Sequence, residues 1–442
     1  MDRQRLVEMV ATQLGSRRLI WAGIRGDDAE PLADLPQLAG SYSIIGAYRH
    51  RSTVEALAYE DMTGHREDLE RWDIDDHLDA PASQEFRHAL LSQLGRPSAL
   101  LPYRPSRFLS SIAFARRDRC LELGVFAGLQ QAFEHKPWVE TSVAALGIPC
   151  VPWEYVAEEE LHRVEVMVER GPVIVRRSRT SGGEGITLVE DPDLVEAVWP
   201  RGPEALASVS PYLADTLPLN VAATVWDDGV TVHLPSVQLI GIPSCVSRPF
   251  GYCGNDFGAA AELPDALLDQ VESSVRAVGG WLRGQGYRGT FGVDFLVHEG
   301  QALFVEVNAR FQGSSHLASQ RASEAGESCE YIDHVAARLG LPVRPQAPVR
   351  ERARVGGDLA HVVVHRIDAD AAPVDVHPLV DALGDLAGWT RADVLVPRET
   401  VVHPGAAVAR VTMRRRLTDT GFALRRPWDR AIAMWQSQQV GA

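Results

Sequence analysis

A chain of 442 residues is too long for one hydrophobic core and predicts two or three domains. With 45% hydrophobic and 23% charged residues it has the make-up of a soluble globular protein. Its 59 acidic against 44 basic residues give a formal charge of -15, which argues against a general nucleic-acid binder, since that needs a basic face to displace counterions.

No stretch approaches the length of a membrane span, and the first residues lack the apolar core of a signal peptide, so a cytoplasmic protein without membrane partners is expected. The five cysteines are scattered, without metal-type spacing, and read as reduced thiols; Cys253, in the run FGYCGND, is the one whose surroundings need checking. Of the 44 basic residues only Lys136 is lysine, the rest being arginine. Its compact ammonium suits a phosphate contact that arginine's fork does not copy.

From the amino terminus, RLVEMVATQL has helical spacing, and residues 19–23 (LIWAG) form an apolar strand. SIIGAY and SALLPY read as further buried strands, so residues 1–105 predict an open parallel sheet in an α/β domain. WAGIRG after the first strand has too few glycines for a dinucleotide fingerprint. Residues 106–150 predict a helical run, followed by GIPCVPWEYV, a short helix and the strand GPVIVRRS. Within VIVRRSRTSGGEGITLV, Arg176 or Arg177 precedes a loop in which Gly182, Gly183 and Gly185 let backbone N–H groups approach phosphate oxygens. It is not a P-loop, because no Gly-Lys-Ser/Thr follows.

Residues 264–285 place Leu268, Val271, Val275, Val278 and Leu282 on one face of an amphipathic helix. Two strands follow. In TFGVDFLV, Phe291, Val293, Phe295 and Val297 share a face and Asp294 takes the other; in LFVEVNAR, Leu303, Val305 and Val307 oppose Glu306, Asn308 and Arg310. A three-residue loop at 299–301, with Gly300 at positive φ, sets Asp294 opposite Glu306. Facing carboxylates repel unless a cation lies between them, and few hard oxygen ligands suit Mg²⁺ shared with nucleotide phosphates. Pro342, Pro345 and Pro348 mark 341–355 as a linker, and 356–442 predicts a small α+β segment.

In this order the features resemble the ATP-grasp superfamily over roughly residues 110–340. The resemblance implies an ATP-grasp fold of two lobes over 106–340, joined to the amino-terminal open-sheet α/β domain and the carboxy-terminal α+β segment. It implies ATP as cofactor, with Mg²⁺ (Mn²⁺ as its substitute) held by Asp294, Glu306 and Asn308. Lys136 and Arg176 then match the phosphate-binding cations, Gly182, Gly183 and Gly185 the covering loop, the backbone of Pro211 and Leu213 the adenine hinge, and Arg310 the arginine at the γ-phosphate. Ser210 stands where many relatives carry an acidic residue, a departure at the hinge. The amino-terminal domain, the run SVQLIGIPSCVSRPFGYCGNDFG and RFQGSSH resemble the pheganomycin-type peptide ligases of natural-product pathways, with loop 241–257 bordering the acceptor. The implied activity is an ADP-forming carboxylate–amine ligation through an acyl phosphate, with amino acids or peptides as substrates and, if the chain assembles, a homodimer. A thiol or bicarbonate acceptor, or nucleotide binding without catalysis, are the alternatives. No residue is assigned as base; His233 and His316 are candidates, each set against a structural role, which ordinary histidine usage favours.

Overall fold

The alternation of apolar runs with helices produces a parallel sheet at the amino terminus. The computed structural model describes residues 3–179, 182–200, 206–343, 345–355 and 358–439. Strands β1 (Arg18–Arg25), β2 (Leu38–Ile45), β3 (Glu55–Ala58), β4 (Ser98–Pro102) and β5 (Cys120–Glu122) lie in the order β3-β2-β1-β4-β5. Every pairing is parallel. Leu19, Ile20 and Trp21 of the central strand are fully buried, as a sheet covered on both faces requires. The strand β5 corrects two expectations, the unbroken helical run from 106 and the domain boundary at 105. Left alone, β4 would expose a row of unpaired backbone groups, and Cys120–Glu122 satisfies them from beyond that boundary.

A second, antiparallel sheet is built from β6 (Glu154–Ala157), β7 (Val173–Arg177), β8 (Ile186–Val189) and β9 (Leu206–Pro211), in the order β6-β9-β7-β8. Its own small core of Val156, Val164, Val175 and Val209 closes against the helix Leu161–Val168.

The third sheet has eight strands: β10 (Leu217–Val225), β11 (Val230–Ile240), β12 (Tyr252–Asp256), β13 (Gly289–His298), β14 (Gln301–Asn308), β15 (Ala360–His365), β16 (Thr390–Asp393) and β17 (Ala407–Met413). Their order is β14-β13-β10-β11-β12-β15-β17-β16. Against one face lies the helix Asp265–Gly284, and all five of its apolar-stripe residues, Leu268, Val271, Val275, Val278 and Leu282, are fully buried against Phe291, Val293 and Phe295.

The carboxy-terminal segment is not set apart. Its strand β15 pairs with β12, Gly254 opposite Val362, so the last strands extend the same sheet. A second core, including Trp428 and Trp435 of the helix Arg426–Gln439, packs there. Cys253 belongs to that core, fully buried, and its partner in packing is Cys245. The expected linker also gives way: after Pro348 the chain forms the helix Val349–Ala353, whose Val349 and Ala353 are buried in the main core. Arg344 of that linker, and 356–357 and 440–442 of the tail, lie outside the described residues.

Buried charge stitches the two ends of the chain together. Arg410 of β17 donates to Asp28 (2.8 Å), just after β1, and to Asp393 (2.6 Å) in β16. Arg66 donates to Glu60 (2.6 Å) and to the carbonyl of Val394 (2.7 Å). Among the described residues no helix is long and apolar enough to cross a membrane.

Glu330 opens the helix Glu330–Arg338 in a fully buried position. Burial pushes its carboxyl up to about 7, against the opposing Ser315 hydroxyl. Such a group holds its proton longer folded than unfolded, so its contribution to stability is full at low pH and is lost as pH rises toward 7. Between pH 5 and 8 the protein should lose about 2.5 kcal/mol that the Glu330→Gln variant keeps. Urea unfolding of both at the two pH values measures this, and parallel pH dependence would place the titration elsewhere.

Candidate active site

The hairpin β13–β14 sets the geometry. His298 pairs with Gln301, so the turn has two residues, Glu299 and Gly300, with φ of 50° and 78°. Two positive φ values are what a type I′ turn demands. The third loop residue expected from the sequence appears instead as a bulge beside Asp294 and Phe295, and Asp294 still falls opposite Glu306. The bulge breaks the simple alternation along β14. Ala302, Phe304 and Val307 are buried in the core, whereas Leu303 and Val305 are only partly covered, and Val305 turns into the cleft beside Glu306.

Asp294 is held from three sides. Its Oδ1 accepts from Asn220 Nδ2 (2.6 Å) and Gln238 Nε2 (3.3 Å), and its Oδ2 from Asn308 Nδ2 (3.3 Å). The Asn308 amide also donates to Glu306 Oε1 (3.2 Å). On the other side of Glu306, Lys136 Nζ lies 2.8 Å from Oε2 and Arg176 Nη1 4.0 Å from it. Burial, then the charge of Glu306, pushes the Asp294 carboxyl up. Burial would push Glu306 up as well, but Lys136 and then Arg176 outweigh it and hold that carboxyl down. One of the facing carboxyls is thus charged and the other discouraged from ionising. A cation between them would relieve this, so the oxygen set fits one. Among the described residues no group of three or more His, Cys, Asp or Glu could cage a metal alone, so a cation here needs oxygens from a ligand as well.

The two basic residues come from the second lobe and the helix before it. Lys136 starts the helix Lys136–Ala144, and its backbone N–H donates to the Ser178 carbonyl (3.0 Å) at the end of β7. Arg176 is buried, bonded to Glu140, and stacked with its guanidinium carbon 3.9 Å from the centre of the Trp153 ring.

Between the second and third sheets runs a cleft of about 460 Å³, within the range of small-ligand sites. At one end Ile174, Leu188, Leu296 and Val305 form an apolar slot, closed by the chain at Pro211 and Leu213. Ser210 is buried, its hydroxyl donating to the Pro211 carbonyl (3.2 Å). Gly182 and Gly183 roof the cleft; Gly185 lies outside its wall and accepts from Arg177 N–H (3.1 Å). Thr180 and Ser181 at the loop tip lie outside the described residues. The roof is docked. Glu184 pairs with Arg71 (3.1 Å), and a Cβ on Gly183 would overlap the Phe250 carbonyl oxygen.

The other end of the cleft joins Arg310 and loop 241–257 to residues that the sequence did not single out. Arg104 donates twice to Glu134 (3.1 and 3.0 Å), and Arg310 Nε lies 3.5 Å from the same carboxylate. Arg310 does line the cleft, near Tyr103, Arg25 and Tyr252. From loop 241–257, Pro249 and Phe250 join the wall together with Tyr252. Asn220 carried one signal in the sequence, a lone amide in the otherwise apolar LPLNV, opposite Asp294 across the sheet. The candidate bases are corrected: His233 sits with Thr224 (3.2 Å) and Asp333 (3.9 Å), His316 faces Glu30 (3.4 Å), and neither lines the cleft.

Residues 142–314 match the family model described as an ATP-grasp domain. The formate-dependent phosphoribosylglycinamide formyltransferase of Bifidobacterium adolescentis is 26% identical over 240 residues, 51% of this chain and 58% of the relative. That of Parasynechococcus marenigrum is 24% identical over 292 residues, 61% of this chain and 70% of the relative. This chain thus spans little more than half the length of the first of these. Among solved structures, the biotin carboxylase domain of Hydrogenobacter thermophilus 2-oxoglutarate carboxylase, a dimer with MgADP, ADP and bicarbonate, aligns with a TM-score of 0.61 at 14% identity, covering 90% of this chain and 86% of that one. N5-carboxyaminoimidazole ribonucleotide synthetase from Thermus thermophilus aligns at 0.56 and 17% identity, covering 90% and 93%. The fold is the ATP-grasp fold.

A side chain at Gly183 has no room and would sit at a φ of 78°, which costs an L-residue roughly 1–2 kcal/mol before any clash is counted. Gly183→Ala should therefore undock the roof and raise amide exchange at Gly185, Ile186 and Thr187 roughly tenfold, while the helix Asp265–Gly284 stays protected. Exchange unchanged at those three amides would show that the contact with Phe250 does not hold the loop.

Proposed function

Taking the ATP-grasp domain at residues 142–314 as premise, we propose that this chain is an ADP-forming ligase that joins a carboxylate to an amine through an acyl phosphate. The observation that carries the reading is the pair Asp294–Glu306 under Lys136, set at the mouth of an apolar slot. A nucleotide base fits the slot against the backbone of Pro211 and Leu213, with its phosphates toward Lys136, Arg176 and the glycines of the roof. Asp294, Glu306 and Asn308 would hold Mg²⁺, which when bound neutralises charge on the phosphates.

The substrate carboxylate oxygen attacks the γ-phosphorus, the bond to the β,γ-bridging oxygen breaks, and ADP leaves. A neutral amine then attacks the acyl carbon, the carbon–oxygen bond to phosphate breaks with its electron pair, and the leaving phosphate takes the amine proton. Arg310 stabilises charge that develops on the transferring groups, and Glu134 keeps its guanidinium in place. The docked roof at Gly182 and Gly183 excludes water from the acyl phosphate. Among the described residues no histidine lines the cleft, and the leaving phosphate is the proton acceptor.

The relatives' names supply the competing substrates, formate with a ribonucleotide amine, or bicarbonate. A thiol acceptor would keep the same activation. The finer reading, in which amino acids or peptides are joined as in natural-product pathways, is supported by loop 241–257, which brings Pro249, Phe250 and Tyr252 to the cleft wall.

Turnover should release ADP and phosphate and require both an acid and an amine, and hydroxylamine should trap the activated acyl group as a hydroxamate. AMP as the nucleotide product would reject the mechanism; ADP with only bicarbonate or a thiol would keep the activation and change the acceptor. Glu306→Ala should lower ADP formation by roughly 100-fold or more with the fold intact by circular dichroism. Lys136→Met should weaken Mg-ATP binding about 10- to 150-fold, the equivalent of a charge-assisted contact of about 1.5–3 kcal/mol. Calorimetric affinity equal to wild type would remove Lys136 from the phosphate site.

A further inference from the structure

The cations of the cleft differ in how far the protein already satisfies them. Arg104 and Arg310 share Glu134, Arg176 is bonded to Glu140, and Lys136 is paired with Glu306. Arg25 is held least closely. Its one ion pair is long, Nη1 to Asp28 Oδ2 at 3.8 Å, and the other oxygen of Asp28 accepts from Arg410 at 2.8 Å. The Arg25 side chain is 13% exposed, and its Nε, like those of Arg176 and Arg310, finds no hydrogen-bond partner among the described residues. A guanidinium withdrawn this far from water, with one distant and shared carboxylate, has room for a second anion.

Its position says which anion. Arg25 ends β1, at the carboxyl edge of the parallel sheet, where open α/β sheets receive ligands. Tyr103 lies between it and the reaction centre: Tyr103 N–H donates to the Ala22 carbonyl of β1 (2.8 Å), and the Tyr103 carbonyl accepts from Phe311 N–H (3.3 Å), next to Arg310. The fields of Arg25 and Arg310 both reach the Tyr103 phenol, opposing the burial that raises its pKa. Arg25 and Arg310 thus both flank Tyr103. Beside the tyrosines the wall carries Ile24, Leu69, Ile240, Phe250 and Phe422, and Glu70 packs under Gly182. Arg104 and Arg310 are taken up by Glu134, so a phosphate ester dianion would find only Arg25 without a close carboxylate. A carboxylate, with one charge and a planar pair of oxygens, matches the guanidinium fork.

Resting on the ligase reading above, we infer that Arg25 binds the carboxylate of the amine acceptor, which is a single α-amino acid with an apolar side chain. Its amine then points to Arg310, and its side chain rests on Phe250 and Phe422. This also gives the run WAGIRG a role as the strand end that delivers an arginine to the cleft.

The full chain, loaded with Mg²⁺ and a non-hydrolysable ATP analogue, is titrated by calorimetry with L-phenylalanine and L-leucine, with their amides, and with ribose 5-phosphate. The acids should bind at least about tenfold more tightly than the amides and than the sugar phosphate, and Arg25→Gln should erase the preference. Arg25→Lys, which keeps the charge, should retain part of it; this variant decides the matter if Arg25→Gln fails to fold. Acid and amide binding alike, no binding of either acid, a preference that survives Arg25→Gln, or tighter binding of ribose 5-phosphate would each overturn the assignment. ADP release with the same ligands separates the two levels. An Arg25-dependent acid preference without ADP keeps the subsite and rejects the ligase. ADP formation whose KM for the amino acid is untouched by Arg25→Gln keeps the ligase and rejects the subsite.

Discussion

Two carboxylates, Asp294 and Glu306, face each other across a strand pair in half-buried positions, and most of the cleft is arranged around that repulsion. The charge on Glu306 survives because Lys136 and Arg176 reach it from a different part of the chain. Asp294 is steadied by amides from two further strands, Asn220 of β10 and Gln238 of β11. Each of these contacts crosses an element boundary. The third sheet, the second sheet and the helix Lys136–Ala144 are therefore positioned by one electrostatic problem, and its solution leaves oxygens directed at a cleft.

The hairpin that creates the pair shows how local chemistry and long-range geometry divide the work. Positive φ at Glu299 and Gly300 makes a tight two-residue turn, which by itself would place Asp294 against Val305. The bulge adds the missing residue, restores Asp294 to Glu306, and turns Val305 from the core into the slot. One irregularity thus supplies both the metal-type oxygen pair and part of the apolar wall beside it.

The two ends of the chain close the outer half of the same cleft. Buried Arg410 and Arg66 tie the first sheet to the last strands, and this brings Arg25 and Phe422, nearly four hundred positions apart, into one wall. Extension of the third sheet by β15, β17 and β16 has the same effect, since Tyr252 on β12 is backed by His361 of β15 at 3.0 Å. A tail that reads as a separate segment in the sequence thus supports a wall of the cleft.

Read alone, the sequence determined whatever depends on near neighbours along the chain. The apolar stripe of residues 264–285, the buried strands of the first sheet, the glycine-rich roof and the facing of Asp294 and Glu306 all follow from spacings of two to about twelve residues, over which backbone periodicity fixes side-chain direction. The tertiary structure decided what depends on distant partners. Asn220 lies 74 residues from Asp294, Glu134 meets Arg104 and Arg310 from separate segments, and His233 and His316 are turned away from the cleft. The edge strand Cys120–Glu122 and the helix after Pro348 belong with these, because each was settled by unpaired backbone or uncovered apolar surface on an element elsewhere. Spacing carries no information about which distant strand edge or ion will need a partner, and only the assembled sheets supply it.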